Sequence, residues 1–358
     1  FSNGSFLLLN PYYGGTSGVR APDFGLAFIN PNVPLTGTMG SDSYSLYGGA
    51  SNVGNGLFDV TGVGAVSGYD YGRGRAIYGS YVVHNEGWNN DTGMATVFNQ
   101  TGPNPTGVVS AANSLVGSAA GDRVGYRVFN VDSSHFVVAS PSWNSGTGAI
   151  TWGTVASGTA SLKALGVVSA TTNSLTGSHI SDFVGDGLGG EGHYSPVGEL
   201  SATPGSYYVV TPSYDGGKGA YTFVTWGQLG TVNDTNSIVS PYASGLQGGS
   251  YNGSDRIPEY VGNGLYTLRF AGMSQWGGGP GQVILTNASV DPGPYTGGLT
   301  FADAAGDSVT ITPGRITDIT NNGTSVLLQA NNDITVNADI ITVPVYDAGD
   351  LVMEAGRS

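Results

Sequence analysis

The chain has 358 residues, a formal net charge of −14, only 10% charged residues, 61 glycines and no cysteine. So acidic a surface repels phosphate backbones and anionic membranes, which argues against nucleic acid as a partner. No stretch reaches the roughly 20 apolar residues of a spanning helix, so no membrane insertion is expected.

Gly, Ser, Thr and Asn fill most polar positions, and these residues favour turns over helix interiors. With 39% hydrophobic residues, the chain still has the material for a core and reads as β-rich, not disordered. Without cysteine, stability must come from packing and backbone pairing, a pattern common in exported proteins. The chain opens FSNGSFLLLNPYY, with an apolar run of only Phe6 to Leu9, as a processed mature N-terminus would show. The expected location is extracellular or at the cell surface.

In chain order, one apolar strand recurs five times. Its copies are Ser5 to Pro11, Tyr81-Val82-Val83-His84, Phe136 to Pro141, Tyr207 to Pro212 and Tyr266 to Phe270. Each runs into an aromatic: Tyr12, Trp88, Trp143, Tyr214 and Trp276. A short Gly/Asn/Ser turn follows, then a second strand: Gly25 to Asn30, Gly93 to Asn99, Gly148 to Gly153, Gly219 to Val224 and Gly281 to Asn287. Between units lies a third phrase, GVVSAANSLVG at Gly107 to Gly117 and GVVSATTNSLTG at Gly166 to Gly177, with weaker copies at Ser43 to Gly48 and Ser237 to Gly248. Short strands at a regular period with turn signals between them predict propeller blades or a related radial array.

From Thr300 the texture changes to short strands between Asn/Gly/Asp corners: Ser308 to Thr312, Ser325 to Ala330, Asp333 to Ala338 and Leu351 to Ser358. The predicted organisation is a repeat domain over 1–290, a turn-rich linker over 291–299 and a C-terminal segment over 300–358. The expected fold is all-β: a propeller-like array of about five repeated β-hairpin units followed by a short β-solenoid-like or extended β tail.

The phrase FVVASPSWNSGTGAITWG resembles the repeats of large bacterial surface proteins and, more distantly, the FG-GAP repeats of integrin-type propellers. The phrases ITVNADI and LVMEAGRS resemble the β-solenoid coils of filamentous-haemagglutinin-type exoproteins. The first resemblance implies blades, and the number of blades and the closure of the ring stay open. It also implies a calcium loop before the blade strand. The matching place here, Asn130 to His135, holds Asp132 as its one carboxylate, and Ala202 to Ser206 holds none. Calcium needs six to eight oxygens, so no metal is expected there.

Catalytic chemistry finds little footing. There is no Cys and no G-x-S-x-G elbow. His84 and His135 follow the blade strand and read as polar residues at a strand edge. His179 and His193 lie in a Gly-rich stretch with Asp182, Asp186 and Glu191, which matches no metal signature and reads as a structural loop. A formal G-x-G-x-x-G at Gly185 to Gly190 lacks the following helix that a dinucleotide site requires. Gly217-Lys218-Gly219 lacks the P-loop spacing. Lys163 and Lys218 lie in no convincing core strand, which argues against isopeptide bonds. No catalytic, cofactor-binding or metal residue is assigned and no cofactor is expected.

The functional expectation is therefore not an enzyme but a structural subunit of an extracellular filament, sheath or matrix, with copies of itself as partner. Leu351, Val352 and Met353 are the candidate self-assembly residues, because the last strand has no successor in the chain and strand edges pair readily. The alternative is an adhesin fragment whose loops bind a glycan or host protein. In that reading the repeat aromatics Trp88, Trp143, Tyr214 and Trp276 either pack between blades or form the ligand surface.

Overall fold

The structure, a computed structural model, describes residues 6–13, 23–29, 45–47, 59–70, 75–99, 104–155, 164–186, 195–200, 204–233, 236–240, 246, 257–262, 265–270, 282–287, 316, 320, 325–330, 333–336, 339–340 and 349–356. Trp276, Lys163, Glu191, His193, the expected linker over 291–299 and the expected strand over 308–312 lie outside the described residues. Strand makes up 50% and helix 8%, so the fold is all-β and built of several small sheets.

The chain divides into two compact units, 1–187 with Trp226–Val232, and 188–225 with 233–358. In the first unit, the first sheet holds β1 (Phe6–Tyr13), β2 (Asp23–Ile29) and β3 (Ser45–Tyr47). The second holds β4 (Asp59–Asp70), β5 (Arg75–Asn85) and β6 (Met94–Asn99). Next come β7 (Gly107–Val108) and β8 (Leu115–Val116). The third sheet holds β9 (Arg127–Asn130), β10 (His135–Ser140) and β11 (Ala149–Thr154), followed by β12 (Gly166–Val167) and β13 (Ser174–Thr176). The second unit contains β14 (Val197–Glu199), β15 (Ser206–Thr211) and β16 (Ala220–Thr225). The chain then returns to the first unit for β17 (Gly230–Thr231). The remaining strands belong to the second unit: β18 (Ser237–Val239), β19 (Glu259–Gly262), β20 (Leu265–Phe270), β21 (Gln282–Asn287), β22 (Val326–Ala330) and β23 (Leu351–Ala355).

The five predicted copies of the first strand fall on β1, β5, β10, β15 and β20, and the second-strand copies on β2, β6, β11, β16 and β21. The repeating element is larger than a hairpin. An additional antiparallel strand (β4, β9, β14, β19) precedes the first strand of four copies. The third phrase splits in two. Its second half, β8 or β13, pairs antiparallel with the second strand of its own copy. Its first half, β7 or β12, pairs in parallel with the preceding copy, and so does β17, which lies ahead of the copy expected from Ser237, giving β3–β7, β8–β12 and β13–β17. The resulting sheet orders are β1-β2-β3-β7, β12-β8-β6-β5-β4 and β17-β13-β11-β10-β9. Successive copies in this unit are thus joined by backbone hydrogen bonds as well as by packing.

The second and third sheets bury Val63, Val82, Val97 and Leu115 with Val128, Phe136, Val138 and Ala149 in one cluster. All six residues of β6 are buried, as are five of the six in β10 and β11. Covering both faces removes the usual alternation and explains why these strands read as continuous apolar runs. The second unit has its own core. There Tyr208, Val210, Tyr221 and Phe223 of one sheet share a cluster with Tyr266, Leu268, Phe270 and Ile284 of the next. Tyr221 meets Phe270 edge-to-face at 5.2 Å and donates its hydroxyl proton to the Arg269 carbonyl. Burial pushes the Tyr208 phenol up to about 12.

β22 and β23 pair in parallel from Val326↔Leu351 to Ala330↔Ala355. A parallel ladder between segments 25 residues apart is the contact a solenoid coil makes, and no third strand joins it among the described residues. Asp333 to Val336 lies outside any strand, which corrects the strand expected there: three of its four described residues are exposed and bury no face.

Candidate functional site

Among the described residues the chemistry-bearing side chains gather in two recurring turns, the first seen in three copies and the second in two. The first turn follows the blade strand. After Trp88, Trp143 and Tyr214, three consecutive residues adopt positive φ: Asn89-Asn90-Asp91 at 51°, 58° and 59°, Asn144-Ser145-Gly146 at 48°, 59° and 82°, and Asp215-Gly216-Gly217 at 46°, 70° and 92°. Each is a single left-handed turn, a conformation that costs a non-glycine residue roughly 1–2 kcal/mol. Asn, Asp and Gly tolerate it best, which accounts for the composition. The aromatic ahead of the turn anchors it: Trp88 and Tyr214 are buried, and the half-buried Trp143 packs against the core cluster.

The second turn closes the second and third copies. Asp122 is 3% exposed and accepts four hydrogen bonds. Its Oδ2 takes Ser118 N at 2.7 Å, Ser118 Oγ at 2.9 Å and Ala119 N at 2.9 Å. Its Oδ1 takes Asn144 N at 3.0 Å, in the left-handed turn of the next copy. Asp182, fully buried, repeats the pattern with Ser178 N at 2.9 Å and His179 N at 2.8 Å. The backbone locks each second turn to the first: Arg123 N and Gly121 N donate to Asp91 O, and Phe183 N donates to Gly146 O.

A third polar motif sits in the phrase between units. Thr96 with Ser114, Thr151 with Ser174 and Thr222 with Ser237 form buried hydroxyl pairs at 2.6–2.7 Å. Each serine donates to the side-chain oxygen of the preceding asparagine, Asn113, Asn173 or Asn236. The threonine must therefore supply the proton between the two hydroxyls. The asparagine amides then reach the carbonyls of Thr106 and Val108, and of Leu165 and Val167. Those carbonyls belong to or flank β7 and β12, the last strands of their sheets, so a side chain occupies bonds that another strand would use. Ser114 and Ser174 have structural tasks rather than the exposed hydroxyl of a nucleophile.

Of the Gly-rich stretch read as a structural loop, His179, Asp182 and Asp186 are described. Asp182 turns its carboxylate onto the turn's own amides, and His179 is largely exposed with Nδ1 beside Ser178 Oγ at 3.0 Å. Among the described residues no group of three or more His, Asp or Glu is arranged to hold a metal. In the loop from Asn130 to His135, Asp132 accepts Ser134 N and His135 Nδ1, each at 2.7 Å. The His135 ring lies against Trp226 at 4.2 Å with a 40° tilt, Trp226 meets Trp152 edge-on, and the indole N–H groups of Trp226 and Trp152 donate to Thr154 Oγ1 and Gln228 O. This seals the docking of Trp226–Val232 in the first unit. Because both oxygens of Asp132 already have partners, treatment with EDTA is expected to leave the melting temperature within about 2 °C. A fall of roughly ten degrees would show a calcium site.

His84 departs from expectation. It lies in β5, between β4 and β6, at 4% exposure, and is a core residue, not one at a strand edge. The repeat places Ala139 and Val210 at the corresponding position four residues before the aromatic, so the imidazole is an addition to a site that is otherwise apolar. Glu86 beside it is also peculiar to this copy, since Pro141 and Pro212 replace it. Burial pushes its carboxyl up, opposed first by Arg123.

The pattern of one family, a repeat of unknown function (DUF5650), matches residues 77–126 and 130–186. The two matches contain the left-handed turn, the Thr–Ser–Asn network and the Asp122 or Asp182 turn once each. The chain is thus similar to a repeat family over these two copies. No curated protein matches the chain.

Proposed function

We propose that this protein is a structural subunit of an extracellular filament, sheath or matrix, joined to further copies of itself through β-strand contacts. The observation that carries the reading is the pairing scheme. The chain already links its own copies by short parallel strand pairs, and β22–β23 is another parallel pair. β23 displays Val352 and Met353 at 44% and 41% exposure, with Leu327 at 57% opposite Val352. Its outer edge faces no strand among the described residues, whereas β7 and β12 have asparagine amides on their outer carbonyls. The polar repeat residues serve the fold, which also favours a building role. The cysteine-free, weakly charged composition supports an extracellular setting.

A second reading, an adhesin that binds a glycan or protein, rests on the turn tips. These differ between the matched copies: Asn89, Asn90, Asp91 and Arg123 in one, Asn144, Ser145, Ile180 and Phe183 in the other. Ile180 is 74% exposed. Sedimentation velocity over a range of concentrations separates the two. Mass that grows with concentration supports assembly; a monomer at every concentration sinks it and leaves the adhesin ahead.

A further inference from the structure

We infer that His84 makes the seam between the first and second matched repeats acid-labile. The imidazole Nδ1 lies 2.7 Å from Gly125 O, and Nε2 lies 3.3 Å from Thr61 Oγ1 on the neighbouring strand β4. Gly125 in turn donates its N–H to Ser140 Oγ, at the end of β10 in the next repeat, at 3.3 Å. His84, Gly125 and Ser140 thus form a chain of contacts from the blade strand of one copy to that of the next, and Gly125 stands at the end of the first matched stretch. The glycine is confined as well: its φ is +81°, and an added Cβ would lie 2.4 Å from Met94 O and 3.2 Å from the His84 Cβ. The seam therefore has little room to shift without breaking contacts.

The groups that face the imidazole are Asp59 and Thr61 from β4, the Gly125 carbonyl from the turn, and Arg127 from β9. Burial is the largest influence and favours the neutral ring. The carbonyl and Asp59 pull toward the charged form, and Arg127 adds to the depression. A group held below its ordinary value in the folded protein stabilises above its unfolded pKa, about 6.5, and loses that contribution as pH falls toward the folded value. Acid is therefore expected to loosen the seam in the range below about pH 6.5. Glu86, raised by burial, acts in the opposite sense, losing stability as pH rises above its ordinary value. It stays in place in every protein compared.

The test compares the melting temperature of the full chain at about pH 7.5 and about pH 5.5 for the parent, His84→Ala and His84→Gln. Alanine is the residue that the next repeat itself uses. The parent is expected to lose roughly 2–4 °C more than either variant between the two pH values. Hydrogen exchange in the parent alone covers the case in which a variant fails to fold. Protection over 124–129, corrected for intrinsic rates, is expected to drop ~10-fold on acidification, the change a loss of about 1.4 kcal/mol produces. Equal acid sensitivity in parent and variants, or unchanged protection at the seam, overturns the inference.

Discussion

Gly148→Ala is expected to destabilise the first unit by on the order of 3–5 kcal/mol. Gly148 has φ +80°, and an added Cβ would lie 2.2 Å from Val184 N and 2.5 Å from Val184 O. Those are backbone atoms, so no rotamer change relieves the collision. Gly148 and Val184 form an isolated parallel bridge, Val184 N donates to Thr147 O, and Gly177 N donates to Gly148 O. Moving Val184 would disturb the lock between the two turns. Gly121→Ala is the control: its φ is +88°, yet nothing lies within 4 Å of its added Cβ. Only the left-handed cost of roughly 1–2 kcal/mol applies there. Denaturant midpoints that were equal for the two variants would contradict this packing.

Asp122→Ala is expected to cost about 2–4 kcal/mol, since a buried carboxylate with four donors disappears at once. The cost stays below the sum of four separate bonds because Ser118 and Ala119 are exposed and water replaces part of the loss. Asn144 N is the donor that matters most, because it ties the left-handed turn of one copy to the acidic turn of the copy before. Asp132→Ala, whose carboxylate is partly exposed, is expected to cost no more than about 1 kcal/mol. If equilibrium unfolding ranked the two aspartates equally, the interlock would not be the stabilising feature described.

Much of this fold is legible in the residues. Burial on both faces wrote β6, β10 and β11 as largely apolar runs, and Trp88 and Trp143 marked where β5 and β10 end. The outer strands were harder to see. β4 is broken by Gly62, Gly64 and Gly68, and β9 and β14 are too short for a period to emerge. The split of the phrase GVVSAANSLVG into two strands with different partners was not legible, because parallel pairing between copies is a non-local choice. Turn composition announced WNND, WNSG and YDGG as turns, while their left-handed sense depends on the contacts around them. Asp122 and Asp182 carry a signal in the sequence. GSAAGDRVG and GSHISDFVG align residue for residue, which makes Asp182 part of the repeat and not of the glycine-rich stretch after it. His84 shows the reverse case: the repeat predicts an apolar residue, and the departure marks the place where one copy behaves differently.

The assembly proposal depends most directly on the outer edge of β23. Electron microscopy of the purified chain beside Val352→Asp, at matched concentration and neutral pH, tests it. Val352 sits opposite Leu327 in the parallel ladder, and burying such a side chain against a neighbouring strand contributes roughly 1.5–3 kcal/mol. A carboxylate placed in that dry contact would oppose it by a comparable amount or more. Because Val352 is 44% exposed in the single chain, the substitution is expected to leave the subunit folded. Ordered polymers from the parent and dispersed particles from Val352→Asp are expected. Polymers that form as readily from both proteins would contradict strand addition at β23.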